Sequence, residues 1–321
     1  MVNTRKVAEN IYLIDDHLYS IPEYGSVYLL DEDKKALIDT GPTSSVPFVL
    51  DGIRQLGFRP EDINYIIATH IHLDHAGGAG ALIRHMPNAR VIVHHRGAKH
   101  LVDPSRLIRS SIAAQTQVEE GIARDTEIVP IAAERVQPAQ DGDVIRLSAR
   151  QTLKIIEAPG HAPHELCLQE SRNKGLFTGD AAGVSVGDNK ALVIVSSPAG
   201  FDADIAITTL KKLMTLQASR LYFAHFGATA EVQKNLRLAV DRLQAWNDII
   251  AESVSNDRRD GVVKKLLAQA ATTLEPIKPE YPLIYDYLMK HNMPMSADGH
   301  LKYYQDKHGI ELNYRRNSES N

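Results

Sequence analysis

Four side chains able to bind a metal fall within six residues in Thr69-His70-Ile71-His72-Leu73-Asp74-His75-Ala76-Gly77-Gly78, directly after the apolar run Tyr65-Ile66-Ile67-Ala68. Where a strand gives way to a loop, His70 and His72, two apart, point the same way. Asp74 and His75, at the start of the following helix, aim at a neighbouring point. Two adjacent cation positions are the natural reading of that spacing. A helix N-terminus at Ala76 adds to it, because its dipole disfavours imidazolium and keeps nearby histidines neutral and able to bind metal. Lone histidines on a surface are commonplace; the clustering of the quartet is what sets this segment apart.

Other residues need weighing against it. Asp39, in Leu37-Ile38-Asp39-Thr40-Gly41, reads as a buried acceptor that orients a ligand or the histidine-rich loop. His164 reads as fixing its own turn, with substrate contact as the alternative. His94, His95 and His100 follow a strand near Arg96 and read as surface or capping residues rather than a further metal site. Cys167 is the only cysteine, and its apolar setting Glu165-Leu166-Cys167-Leu168-Gln169-Glu170 favours core packing over nucleophilic chemistry. Gly77-Gly78-Ala79-Gly80 lacks the Gly-Lys-Ser/Thr ending of a phosphate loop and suits close helix packing beside the histidines.

The elements that must position these residues alternate between short β-like runs and helices. Runs at 8–15, 26–30, 35–39, 64–69, 89–94, 143–147, 152–158, 165–170, 175–179 and 220–225 read as strands, and 45–56, 77–84, 107–124 and 205–216 as helices. That is a mixed α/β domain. After Phe226, Val232, Leu236, Val240, Leu243, Trp246, Ile250 and Val254 recur at three or four residues and mark a long amphipathic helix. A second helix at 261–271 starts after Asp260 as N-cap, and Pro276, Pro279 and Pro282 break the chain before a third at 283–290. The division is therefore 1–228 for the α/β domain and 229–321 for a helical C-terminal extension, ending in a polar, frayed 313–321. The apolar stripe needs a partner, either the α/β domain or a second copy in a homodimer.

Composition excludes several classes. With 321 residues, 43% hydrophobic, 24% charged and a formal net charge of -4, the chain has an ordinary globular profile, without the basic surplus of a nucleic-acid binder. The N-terminal stretch lacks the apolar core of a signal peptide, and no run approaches the roughly 20 apolar residues of a membrane span. A single cysteine forbids an internal disulfide. The expectation is a cytoplasmic protein with a small-molecule substrate, and neither nucleic acid nor membrane as partner.

The His-x-His-x-Asp-His pattern of His70, His72, Asp74 and His75 resembles the signature of the metallo-β-lactamase superfamily of hydrolases, in its glyoxalase II-like branch. The family's later motifs follow in order. Pro159-Gly160-His161 matches its Gly-His turn, Phe177-Thr178-Gly179-Asp180 its Gly-Asp turn, and Ala224-His225-Phe226-Gly227 its His-x-Gly turn; Leu37-Ile38-Asp39-Thr40-Gly41 matches a common supporting segment. Over residues 7–230 the resemblance implies a four-layer αβ/βα sandwich with the metals at one sheet edge. It also implies two divalent ions, one held by His70, His72 and His161, the other by Asp74, His75 and His225, with Asp180 bridging. Zinc suits these ligands, and iron and manganese are the alternatives.

Activity follows from the same resemblance. A metal-bound hydroxide attacks an ester-like carbonyl, and Asp74 acts as the catalytic carboxylate that orients the nucleophile or relays its proton. The expected substrates are small esters, thioesters or lactones. Asp rather than Cys at 180 separates the chain from the β-lactam-hydrolysing branch with a cysteine ligand. Asp180-Ala181-Ala182-Gly183 lacks the tyrosine that homoserine-lactone hydrolases carry after the bridging aspartate. Two other classes stay open: a mononuclear iron dioxygenase of the persulfide type, and a ligand-binding or regulatory relative without turnover. Pocket walls are expected from 101–131, 183–201 and the C-terminal helices.

Overall fold

The computed structural model describes residues 2–115, 128–253 and 259–309. Seven strands form one sheet in sequence order: β1 (Thr4–Ala8), β2 (Ile11–Asp15), β3 (Ser26–Leu30), β4 (Lys35–Ile38), β5 (Ile63–Ile67), β6 (Arg90–His94) and β7 (Val136–Ala139). β1 to β4 pair antiparallel, and β4 to β7 run parallel. The change of direction is set by the crossovers: parallel neighbours need a long return, and the helices Val46–Gln55 and His95–Val102 lie in two of these. A second sheet contains β8 (Val144–Arg146), β9 (Thr152–Glu157), β10 (Leu166–Glu170) and β11 (Gly175–Phe177). After the separate hairpin of β12 (Val184–Val186) and β13 (Ala191–Val193), β14 (Arg220–Tyr222) and β15 (Ala228–Thr229) complete it, in the order β15-β14-β11-β10-β9-β8.

Three apolar layers hold the sandwich together. Between the sheets, Leu13, Tyr28, Ile38 and Ile67 meet Ile155, Leu168, Phe177 and Tyr222. Outside the first sheet, Leu29, Leu37 and Val91 pack on Val49, Ile53 and Leu82 from its helices. Outside the second, Cys167, Leu176 and Leu221 pack on Leu210 and Leu213 of the helix Ala203–Met214. Strands with a helix layer on one face and a second sheet on the other are apolar on both, which is why β3 and β11 are buried at every position. The expected four-layer αβ/βα arrangement is the one found.

The polypeptide beyond the sandwich is helical: Val232–Ser253, Arg259–Leu274, Pro282–Tyr287, a π-helical turn at Leu288–Asn292, and Met293–His308. The stripe of the first helix is covered by the chain itself. Leu236, Val240 and Leu243 pack with Leu210, Leu213 and Phe223, while Trp246 and Ile250 join Val184, Val193, Leu266 and Leu288 around the β12–β13 hairpin. The last helix approaches the loop after β13 so closely that a Cβ on Gly299 would lie 2.1 Å from the Ser196 carbonyl oxygen. No helix among the described residues is long and apolar enough to cross a membrane.

Some details depart from the sequence reading. β1, β7 and the β12–β13 hairpin were not expected; β1 is half-exposed without alternation, and β7 carries Pro138, which an edge strand tolerates. The two-residue β15 interrupts the expected absence of strand after Phe226. The helix expected to begin behind Asp260 already includes Arg259, so Asp260 lies in its first turn, where a carboxylate still complements the helix dipole. The helix expected at 107–124 is seen as Ser105–Gln115, and 116–124, Val254 and 313–321 lie outside the described residues.

Burial of Leu236 and Leu243 stabilises the fold by about 3–6 kcal/mol together, a large share of the ~5–15 kcal/mol of a typical domain. Truncation after Gly227 is therefore expected to give aggregated protein without a cooperative melt. A monodisperse truncated chain in size-exclusion chromatography, melting like the full chain, would show the extension to be dispensable.

Candidate metal centre

All seven residues singled out as ligands sit at one edge of the sandwich, where strands of both sheets end. β4 and β5 run parallel, as do β11 and β14, and β9 lies antiparallel to β10, which is antiparallel to β11. The carboxyl ends of β9, β11 and β14 therefore share an edge, and the turns behind them carry His161, Asp180 and His225. His70, His72, Asp74 and His75 follow β5. The four-residue helical turn here is Leu73–Ala76, three residues earlier than the helix N-terminus expected at Ala76, with His72 in the N-cap position. The two sheets are tied at the edge: the Leu166 amide donates to the Thr69 carbonyl (2.7 Å) and the Ser26 amide to that of Ala224 (2.7 Å).

The ring nitrogens converge in overlapping groups, since His70, His75 and Asp180 also come together across the two trios. His70 Nε2 lies 2.9 Å and His161 Nε2 3.0 Å from His72 Nδ1. Asp74, His75 and His225 form another group, with Asp74 Oδ2 3.8 Å from Nε2 of both histidines. Asp180 reaches both: Oδ1 is 3.5 Å from His75 Nε2 and 3.4 Å from His225 Nε2, and Oδ2 is 3.6 Å from His161 Nε2. The atoms of each trio lie within 4.8 Å of one another.

Hydrogen bonding on the outer side of the rings decides which nitrogen faces inward. His161 Nδ1 is 2.9 Å from the Val195 carbonyl, an acceptor only, so Nδ1 carries the proton and Nε2 presents a lone pair. His75 Nδ1 is held by Asp39 Oδ2 (3.1 Å), and Asp39 also accepts from the Thr69 amide (2.7 Å) and hydroxyl (3.0 Å). Asp39 thus plays the orienting part expected of it. His70 Nδ1 is 3.2 Å from the Thr69 hydroxyl, which gives its proton to Asp39 and so accepts from the ring; Glu165 Oε2 lies at a like 3.2 Å without a hydrogen bond. His75 Nε2 and Asp180 Oδ1 are buried without a hydrogen-bond partner. Lone pairs brought to 2.9–3.0 Å in the first trio repel unless a proton or a cation stands between them, which fits a cation there, and the orphaned His75 Nε2 and Asp180 Oδ1 fit one beside the second.

Electrostatics agree. Burial, then the charges of His75, His72 and His161, holds His70 well below the ordinary imidazole range; burial and His161 do the same for His72. Both rings are held towards the neutral form, the one able to bind a metal. Burial pushes His75 and His225 down, but Asp180 and Asp74, with Asp39 for His75, together raise them above the ordinary range. Asp180 is pushed up by burial but held well below the usual carboxylate range by His225 and His75. The buried carboxylate calls for positive charge at the position it shares with these rings.

Glu165 escaped the sequence reading, because it looks like the first residue of a strand. β10 enters from the edge at which its neighbours end, so Glu165 is delivered by a strand start. Its Oε1 accepts from the Asp180 amide at 2.9 Å. Gly179 makes room for it: its φ is 51°, and a Cβ there would stand 2.2 Å from Glu165 Oε1. His164 lies with its ring 5.7 Å from that of His72, half-buried and outside the ligand trios. Burial pushes its imidazole down to about 4.

A further group, His94, His95 and Glu157, comes within ligating distance but has the wrong tautomer. His94 Nδ1 accepts from the Arg96 amide (3.0 Å) and caps the helix His95–Val102, so its proton sits on Nε2, facing Glu157 Oε1 at 3.3 Å. No lone pair remains there for a metal, and the capping role expected from the sequence is the one seen.

Residues 21–225 match the family model of the Metallo-beta-lactamase superfamily. An acyl-coenzyme A thioesterase of Homo sapiens is 29% identical over 187 residues, 55% of this chain and 64% of that protein. An N-acyl homoserine lactonase of a Bacillus species is 25% identical over 193 residues, 59% of this chain and 65% of that protein. The chain thus matches less than two thirds of the length of either relative. In overall fold it is similar to a metallo-beta-lactamase family protein of Thermus thermophilus (TM-score 0.67, 20% identity, 94% of this chain and 95% of that one). That likeness extends through the helical region. A superfamily protein of Sulfolobus tokodaii covers 73% of this chain and 86% of its own, at TM-score 0.58 and 21% identity.

Replacing Glu165 with Ala removes the acceptor of the Asp180 amide and the carboxylate beside His70 Nδ1. Zinc affinity in a chelator-competition titration is expected to fall about 10–100-fold, with Glu165→Gln intermediate. Unchanged affinity in both variants would show that Glu165 does not organise the centre.

Proposed function

As the chain belongs to the metallo-β-lactamase superfamily, we propose that it is a metal-dependent hydrolase of a small ester, thioester or lactone, working with two divalent ions, zinc by preference. The observation that carries this reading is Asp180, a buried carboxylate within 3.6 Å of one histidine group and 3.5 Å of the other. A shared carboxylate between two trios is what a two-metal centre needs and a one-metal centre does not. The relatives are a thioesterase and lactonases by name, both hydrolysing ester-like bonds. Of the two, the thioesterase is favoured, because Asp180-Ala181-Ala182-Gly183 lacks the tyrosine noted above.

Two divalent ions held there would supply a water acidified towards about 7 and Lewis-acid polarisation of a carbonyl. The residues of the chain supply the rest. His70, His72 and His161 would hold one ion, and Asp74, His75 and His225 the other. Asp39, the Thr69 hydroxyl and the Val195 carbonyl keep three of the rings in the tautomer that leaves an inward lone pair. Asp74 differs from Asp180 in exposure, 24% against 4% for the side chain, so it stands where water and substrate enter. It is the carboxylate placed to orient the attacking water and to pass its proton to the leaving group. Cys167 takes no part: its thiol is fully buried, and burial pushes it well above its ordinary range.

Elemental analysis is expected to find close to two metal equivalents, reduced in both His72→Ala and His225→Ala. The rate should rise with pH through an ionisation near ~7 and then level off. Asp180→Ala should lower kcat/KM at least about 100-fold, while Cys167→Ala should alter mainly stability. Turnover in oxygen-18 water must place one label in the product acid. One equivalent of iron, with label arriving from molecular oxygen, would overturn the hydrolase reading in favour of a dioxygenase.

A further inference from the structure

His225 is placed differently from the other rings of the centre. His75 and His161 are turned by an outer acceptor, Asp39 or the Val195 carbonyl, whereas His225 Nδ1 is buried with no hydrogen-bond partner among the described residues. With no hydrogen bond on its outer side, the direction of this ring has to come from the backbone of its own turn. That backbone is strained. Phe226 has φ 58° and Gly227 φ 107°, and a bulky side chain stays in the left-handed region only where its surroundings hold it there. The Phe226 ring goes into the apolar layer between the sheets, while the neighbouring His225 ring faces Asp74 and Asp180.

One guanidinium covers this turn. Arg5 of β1 lies 5.0 Å over the Phe226 ring, and both its terminal nitrogens donate to the Asp188 carboxylate, Nη1 to Oδ2 at 3.0 Å and Nη2 to Oδ1. Gly227 lies against the pair: a Cβ there would stand 3.2 Å from Asp188 Oδ1 and 3.5 Å from Arg5 Nη2. Asp188 belongs to the tip of the β12–β13 hairpin, where it and Asn189 have φ 52° and 74°. That hairpin is seated in turn against Trp246, Leu266 and Leu288 of the extension. With side chains 34% and 54% exposed, the Arg5–Asp188 pair adds little stability by itself. Its effect is directional, because Asp188 fixes the guanidinium and the guanidinium holds the face of a ring whose backbone would otherwise relax.

We propose that Arg5 is a positioning residue for His225, acting through Phe226 with Asp188 as its anchor, so that the N-terminal strand and the hairpin tip set how tightly the Asp74–His75–His225 position holds its ion. Arg5 does for this ring, through the backbone, what Asp39 does for His75 through a hydrogen bond. The effect on metal binding rests on the two-metal reading above; the clamp on the turn does not.

The test uses the full chain and two readouts. Stepwise zinc affinities come from chelator competition, with His72→Ala and His225→Ala assigning each step to its position. Amide hydrogen exchange of residues 223–229 in the metal-free chain reports on the turn without any metal. Arg5→Ala is expected to weaken the step of the Asp74–His75–His225 position about tenfold, to leave the other step unchanged, and to speed exchange at the turn. Arg5→Lys keeps a charge over the ring but loses the two-pronged contact with Asp188, and should lie between. Should Arg5→Ala fold poorly, Asp188→Asn at the exposed hairpin tip removes the anchor and is read in the same way. A wild type that binds a single ion, with exchange at the turn still faster in the variants, would leave the clamp standing and remove the two-metal reading. Both zinc steps falling alike, or exchange at the turn unchanged in the folded variants, would overturn the proposal.

Discussion

The centre depends on keeping Asp180 charged in a place where water cannot reach it. Desolvating a carboxylate costs several kcal/mol unless it is paired and hydrogen-bonded. Here the Asp180 amide is anchored to Glu165 and the carboxylate oxygens face His75, His161 and His225. Those rings help only if each turns the correct nitrogen inward, so the outer partners become obligatory. Asp39, the Thr69 hydroxyl and the Val195 carbonyl are as much a part of the site as the rings they orient, since each removes one choice of tautomer.

The architecture follows from bringing these partners to one place. A turn behind a strand end is rigid on one side and free on the other, and here the turns behind β5, β9, β11 and β14 meet at one edge. The interleaved β10 adds Glu165 from the opposite chain direction. Tyr28 reinforces the junction behind His225: from the first sheet, its hydroxyl lies 2.7 Å from the carbonyls of both Phe223 and Gly227. His225 thus sits in a turn with Phe226 and Gly227 at positive φ, held from the side facing away from the ligands.

The candidate ligands are legible in the sequence because each lies in a short motif of local meaning, such as His70 to His75, Gly160-His161, Gly179-Asp180 and His225-Phe226-Gly227. The long buried strands are legible for a related reason: apolar runs such as Tyr65-Ile66-Ile67 need no partner to be recognised. What stays hidden is whatever depends on docking between distant segments. Glu165 gains its role only when β10 is laid beside β9 and β11. Tyr24 and Asn292, 268 residues apart, meet only because the extension folds back on the sandwich. The β12–β13 hairpin is three residues a side and is stabilised mainly by the helices around it, so local propensity carries little signal for it.

The manner of that docking decides between two roles for the extension. A lid has to leave the site without disturbing it, and this extension is fastened to both halves. In the loop after β13, the Ser196 amide donates to the Ser296 hydroxyl (3.2 Å) and the Ser196 hydroxyl to the Ser296 carbonyl (3.0 Å), with Gly299 in close approach. The preceding residue in that loop, Val195, holds His161. On the other half, Asn292 holds Tyr24, whose ring lies against His225. Lifting the helices would release the carbonyl that sets the His161 tautomer and the tyrosine beside His225 together. The helical region is therefore a fixed wall of the candidate centre, which is open on the side where Asp74, His72 and His164 are partly exposed.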